Sequence, residues 1–258
     1  MEFSPIDPSS DRPVYKQIAD QLRAAIESGE LIPGDLLPSE RDLCEVFETA
    51  RGTVRQAVTL LKSEGLVDSS RGKGAFVREQ RPVKRLFQDR FARKHREAGK
   101  AAYLIELETQ GRKPDVEVLF VGKDKAPAHI AKLLGLRTGA AVLVRHRLYK
   151  SDGEPIEIAT SYIPWEIAKG TAMLKENTGP GGIYARIEEQ GHRLKKFVED
   201  SSARAASPDE IRMLNLSPGI PVLTVVRTAI DENDKPVEVC DTVLAADRYV
   251  LTYELPAR

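Results

Sequence analysis

The chain has 258 residues, 41% hydrophobic and 30% charged, a length that suits two domains, each able to bury a core. No apolar run approaches membrane-spanning length and the acidic, Pro-broken start MEFSPIDPSSD is no signal peptide, so a cytoplasmic protein without a membrane partner is expected. Net charge is zero, yet residues 1–50 hold 4 Lys/Arg against 11 Asp/Glu while residues 51–100 hold 14 against 5, the local basic excess that phosphate contact requires.

In chain order, Val14 to Ser28 places Tyr15, Ile18, Leu22, Ala25 and Ile26 at helical spacing between Pro13 and Gly29. A second helix starts at Ser39, which can cap it with Asp42 three residues on, and Leu43, Val46 and Phe47 form its apolar stripe. Arg51 to Glu64 makes a third, with Val54, Ala57, Val58 and Leu61 on the buried side. Gly52, Arg55, Gln56 and Thr59 project away from that side, and Arg51 and Thr53 sit in the first turn, where helix N–H groups favour a phosphate. Two short β-like runs, Leu66 to Ser69 and Ala75 to Val77, flank the basic Gly-rich turn Ser70 to Gly74. Three helices and a basic hairpin make a winged helix-turn-helix over residues 1–77, whose recognition helix enters the major groove and whose Arg51 or Arg55 can fork onto guanine. A solvated charged helix face is the plainer reading for Arg23 or Lys62; the wing and the local charge excess set Arg51 and Arg55 apart.

The segments VYKQIADQLRAAIESGEL, PGDLLPSERDLCEVF, ARGTVRQAVTLLKSEGLV and RGKGAFV resemble the DNA-binding domain of GntR-family bacterial transcription regulators. That resemblance implies DNA contacts by Arg41, Arg51, Thr53, Arg55 and the wing residues Arg71, Gly72 and Lys73. The family usually has Ser or Thr where Ala50 stands and a hydroxyl residue where Gly52 stands, so capping is expected to pass to Thr49.

Residues 78–100 carry 9 Lys/Arg against 3 Asp/Glu and read as a basic linker, with a hint of helix at Leu86, Arg90 and Phe91. The second domain, 101–258, contains a repeat: Leu133 to Leu143 parallels Met213 to Leu223 at an offset of 80 residues, Arg147 matches Arg227, and Pro155-Ile156-Glu157 matches Pro236-Val237-Glu238. Each unit reads as helix, turn, strand, hairpin, strand, so two copies predict one central antiparallel sheet and an α+β protein overall. A cleft between the halves would be bordered by Arg145, Arg147, Glu157, Ser161 and Tyr162; paired guanidinium forks there suit a carboxylate or phosphate, while ion pairing on a solvated sheet face accounts for them equally well.

The order LRTGAAVLVRHRLYKSDGEPIEIATSYIP, then PGIPVLTVVRTAIDENDKPVEVCDTVLAADRYVL, resembles the UTRA effector-binding domain of the HutC subfamily. This implies a chorismate-lyase-like α/β fold, dimerisation, and a small-molecule effector held by Arg145, Arg147, Glu157, Ser161, Tyr162, Asp241 and Tyr249. Asp241 stands where Glu is usual and Ala245 where Arg is frequent, which argues against a sugar phosphate.

Together these readings predict a homodimeric repressor that binds an inverted-repeat operator in double-stranded DNA and responds to an effector, anionic if the arginines face it. A constitutive repressor whose second domain only dimerises is the alternative. An enzyme is not expected: no Ser/His/Asp or Cys/His set stands out, and His129, His146 and His192 are scattered. Cys44 and Cys240 lack partners at metal-ligand spacing, so neither a disulfide, a metal nor a cofactor is expected.

Overall fold

The computed structural model describes residues 3–70, 74–79, 82–86, 102–217 and 219–254. They divide into two units, Met1–Arg81 with Leu216–Ile220, and Pro82–Asn215 with Pro221–Arg258.

In the first unit, helix α1 (Val14–Glu27) buries Ile18, Leu22 and Ala25, three of the residues its periodicity marked, together with Ala19, while Tyr15 and Ile26 are half-buried. Helix α2 (Glu40–Val46) begins at a complete capping box: Ser39 Oγ accepts from the Asp42 amide and the Asp42 carboxylate accepts from the Ser39 amide, each at 3.2 Å. Its inward residues are Leu43 and Phe47, while Val46 is 51% exposed, because the helix ends there and the chain turns Phe47 alone into the core. Helix α3 (Arg51–Ser63) buries Val54, Ala57 and Leu61. Between them Glu48 adopts a left-handed φ of +48°, which sharpens the α2–α3 turn. Strands β1 (Val67–Ser70) and β2 (Gly74–Val77) pair antiparallel from Val67↔Val77 to Ser70↔Gly74, closing the hairpin. Its tip residues Arg71, Gly72 and Lys73 lie outside the described residues.

The second unit opens with strand β3 (Val83–Leu86), inside the stretch expected to be a linker. Arg90 and Phe91, the rest of the helix hint, lie outside the described residues. The chain continues through α4 (Ala102–Glu108), β4 (Pro114–Lys125), α5 (Ala128–Leu133), β5 (Ala141–Ser151), β6 (Glu154–Pro164), α6 (Trp165–Ala168) and a 3-10 turn at Ala172–Leu174. It then runs through α7 (Gly182–Glu189), β7 (Leu194–Ala205), α8 (Pro208–Met213), β8 (Pro221–Asp231), β9 (Pro236–Ala245) and β10 (Tyr249–Thr252).

Six strands form one antiparallel sheet in the order β4-β5-β6-β9-β8-β7, and β3 pairs separately, in parallel, with β10. The order reads as two mirrored halves joined at β6–β9, and it extends the repeat at both ends: α4 corresponds to α7 and β4 to β7. Asp152 and Gly153, both at positive φ, make the two-residue turn between β5 and β6. Each hairpin carries a bulge beside its glutamate, since Ile156 is skipped between Tyr149↔Glu157 and Lys150↔Pro155, and Val237 between Ala229↔Glu238 and Ile230↔Pro236. A bulge breaks the alternation and turns both residues of each pair inward. Ile156, Glu157, Val237 and Glu238 are accordingly all buried.

One face of the sheet is covered at one end by α6, the 3-10 turn and α7, around Leu143, Ile163, Met173, Tyr184 and Ile187. Its other end is covered by β3, β10 and α4, around Val83, Tyr103, Leu107, Val225, Leu244 and Tyr249. On the opposite face α5 packs over Val142, Val144, Tyr162, Val226 and Val239. No helix among the described residues is long and apolar enough to cross a membrane.

Candidate functional site

The α2–α3 pair presents arginines at its surface. Arg51 and Arg55 lie one helical turn apart on α3, with side chains 68% and 59% exposed, and both are tied to one carboxylate in the first turn of α2. Glu40 accepts from Arg51 Nε at 2.5 Å and from Arg55 Nε at 3.1 Å. These bonds hold the Glu40 carboxyl below its usual range, Arg51 first and Arg55 second. Because both are made through Nε, the Nη1/Nη2 pair of each arginine is left for a bidentate contact with guanine. Arg41, the most exposed of the three, is held through its own Nε by Glu45 at 2.9 Å.

Thr53 is in the first turn of α3, half-buried. The helix has Ala50 as its N-cap and no side-chain cap bond. The expected transfer of capping to Thr49 does not occur. The uncapped end leaves first-turn N–H groups and the positive end of the dipole for an anion. At Gly52 an added Cβ would meet nothing within 4 Å, so nothing in the fold asks for glycine there.

In the second unit the residues expected to bind an effector separate onto two faces of the sheet. Arg145, Arg147, Glu157 and Ser161 share the face that carries the two covering layers, and Tyr249 reaches it from β10. Tyr162 and Asp241 do not join them. Alternation along β6 and β9 turns them to the other face, where Tyr162 packs with Val144 and Val226, and Asp241 Oδ2 lies 3.9 Å from His129 Nε2 on α5. Burial raises the Asp241 carboxyl above its usual range.

The first group is itself divided by what each member touches. Arg145 is spent on the backbone: Nη1 donates to the carbonyls of Met173 and Lys175, and Nη2 to Glu176 O at 2.7 Å, fastening the segment after the 3-10 turn. Burial, then the nearby Arg147, bring its pKa down to about 10, still charged at neutral pH. Arg147 Nη2 donates to Ser161 Oγ at 2.6 Å, its guanidinium lies 5.5 Å from the Tyr149 ring, and its buried Nε has no hydrogen-bond partner among the described residues. Glu157 accepts from Tyr249 Oη at 3.0 Å.

The same face holds further charged groups. Arg227 Nε donates to Tyr184 Oη at 2.8 Å, and that hydroxyl donates to Glu238 Oε2 at 3.1 Å. Burial raises the Tyr184 hydroxyl well above its usual range, so it stays protonated. Glu199 on β7 accepts from Arg227 Nη1 at 3.3 Å. Fully buried Arg85 on β3 has Nη1 3.8 Å from Glu157 Oε2 and Nη2 3.8 Å from Glu199 Oε1. Glu238 Oε1 and Glu199 Oε2 are buried without hydrogen-bond partners among the described residues. An interior holding buried acceptors and a buried arginine donor without hydrogen-bond partners among the described residues can receive a polar ligand bearing both kinds of group. Arg227 and Glu238 were within reach of sequence reasoning, as the repeat partners of Arg147 and Glu157. Tyr184, Glu199 and Arg85 carry no local signal, and Arg85 sits in a run of basic residues that reads as solvated.

Two family profiles match the chain: bacterial regulatory proteins of the gntR family over residues 14–77, and the UTRA domain over residues 109–250. It is 34% identical over 248 residues to an HTH-type transcriptional regulator of Streptomyces coelicolor, covering 94% of this chain and 92% of that protein. It is 30% identical over 252 residues to the HTH-type transcriptional repressor NagR of Bacillus subtilis, covering 96% and 97%. Among solved structures, PhnF from Mycobacterium smegmatis superposes with a TM-score of 0.59 at 23% identity, covering 95% of this chain and all of that one, a likeness of fold.

Proposed function

Since this chain belongs to the GntR family and is a transcription regulator with a DNA-binding GntR domain and a UTRA effector domain, we propose that it is a cytoplasmic, homodimeric repressor released from an inverted-repeat operator by a small polar effector. The observation that carries the reading is the Arg51–Glu40–Arg55 arrangement, in which one acid holds two exposed arginines by Nε and leaves their Nη groups unused by that bond. Repression is supported by the name of the Bacillus subtilis relative. In this reading Arg41 and the wing residues Arg71 and Lys73 contact phosphate, Gly72 lets the wing approach the backbone closely, and Thr53 with the uncapped end of α3 takes a further phosphate.

The effector occupies the face that carries Arg147, Ser161, Glu157 and Tyr249, joined by Arg227 and Glu238. It offers an acceptor to Arg147 Nε and a donor to Glu238 Oε1. The charges there, Arg85, Arg147 and Arg227 against Glu157, Glu199 and Glu238, cancel once Arg145 is set aside for its carbonyls, which suits a ligand of little net charge rather than a dianion. A domain that only dimerised would have no use for such costly buried groups.

Selection of bound duplexes from a random pool at fixed physiological salt tests the DNA half of this reading. A palindrome is expected. Arg55→Ala is expected to cost about 1–3 kcal/mol on that palindrome and to relax preference at one base per half-site. Recovery of no motif, or an unchanged preference in the variant, counts against the assignment.

A further inference from the structure

The effector face and the segment that follows the DNA-binding domain meet at one residue. β3 begins at Val83, six positions after the last residue of the wing, Val77. It is four residues long and pairs in parallel with the equally short β10, and Gln110 clamps its middle, accepting from Lys84 N at 2.9 Å through Oε1 and donating to Lys84 O at 3.0 Å through Nε2. A two-stranded ribbon of this size has little stability of its own. Beside these backbone bonds, its seat depends on what its inward side chains do. Those are Val83 and Arg85, both fully buried, while Lys84 and Leu86 face out. Val83 joins the Tyr103, Leu107, Leu244 and Tyr249 cluster. Arg85 extends between Glu157 and Glu199, two carboxylates contributed by opposite halves of the repeat, with both ion pairs at 3.8 Å, longer than direct charge-assisted hydrogen bonds.

We propose that Arg85 is the positioning residue through which occupancy of the effector face reaches the DNA-binding domain. Seated between Glu157 and Glu199, it holds β3 in place; a ligand that hydrogen-bonds these carboxylates in better geometry displaces the guanidinium, and the strand loosens. This rests on the reading of that face as the effector site. Loosening β3 lengthens the tether that holds each reading head near its half-site. The effective concentration of the second head falls on the order of tenfold, while the fit of one head to one half-site is untouched. Nothing in the DNA-contacting residues has to change.

The test uses full-length wild type, Arg85→Gln and Glu199→Gln, with the selected palindrome and a duplex bearing a single half-site as probes at one salt concentration. Hydrogen exchange of the amides at 83–86 and 249–252 is followed alongside fluorescence anisotropy. Both variants are expected to lose protection in β3 and β10, to bind the palindrome about tenfold more weakly, and to bind the half-site as wild type does. Should Arg85→Gln also lose protection in β5 and β6, it is unfolded and Glu199→Gln decides, since glutamine can still accept from Arg227. Loss of protection in β3 with unchanged palindrome affinity would make Arg85 purely structural; unchanged protection in the folded variants overturns the proposal outright. A wild type that selects no palindrome defeats the underlying reading, whereas a palindrome bound equally by all three proteins defeats only the role of Arg85.

Discussion

Glu40 and Arg145 illustrate how a charged side chain can matter through the groups of its own chain that it holds. Glu40 is an acid on a surface meant for phosphates, so removing it lowers the electrostatic cost of approaching any DNA; it also leaves Arg51 and Arg55 free to sample other rotamers. The two effects have opposite signs on specific binding. Glu40→Gln is expected to raise affinity for random duplex while discrimination in favour of the selected sequence falls by about 1 kcal/mol, read by parallel anisotropy titrations. An unchanged ratio of the two affinities would mean the arginines need no support.

Arg145 carries the reverse lesson. Sequence analysis placed it beside Arg147 as half of an anion clamp, and the alternation argument was sound as far as it went. What alternation cannot see is the length of an arginine and the loop at its tip, where the carbonyls of Met173, Lys175 and Glu176 converge. Arg145→Met strands those acceptors and is expected to cost about 2–3 kcal/mol in denaturant unfolding. A variant that unfolds at the wild-type midpoint would return Arg145 to the ligand.

At the scale of elements, the helices of the first unit were legible because they are local: a period of 3.6, a Ser39–Asp42 capping box and a glycine after α1 suffice. The hairpins of the second unit were legible from turn residues and from the repeat. The bulges at Ile156 and Val237 were not, because a bulge is a mismatch between two strands and has no signature in either alone. They decide that Glu157 and Glu238 point inward. Helix α8, six residues long, depends on its ends. Ser207 and Glu210 form a capping box and Glu210 binds both Nη atoms of Arg204, at 2.6 and 2.7 Å. The Arg204 bond, ahead of the Ser207 amide, lowers the Glu210 pKa from 4.5 to about 2. A depressed carboxyl adds stability above its unfolded value and loses it as pH falls toward the folded one. The pair's contribution is therefore complete above pH 4.5 and fades toward about pH 2. Arg204→Met should be less stable than wild type at neutral pH, with the gap closing through that window in acid unfolding curves. A gap independent of pH would assign the loss to packing.

For the whole molecule, the sequence by itself determined the composition of parts: a three-helix unit with a hairpin, a duplicated α/β unit, and a basic excess that starts at α3 although the net charge is zero. These follow from periodicity, caps, turns and repetition, all of which act between residues close in the chain or copied along it. Only the tertiary structure decided which side chains meet. It set Tyr162 and Asp241 behind the sheet, brought Tyr184 and Glu199 to Arg227, and drew Arg85 out of an apparent linker to lie between two glutamates 72 and 114 positions away. The reason is physical: burial makes a charge seek a partner wherever the fold supplies one, and strand pairing, bulges and covering layers supply it at distances along the chain that local pattern does not encode.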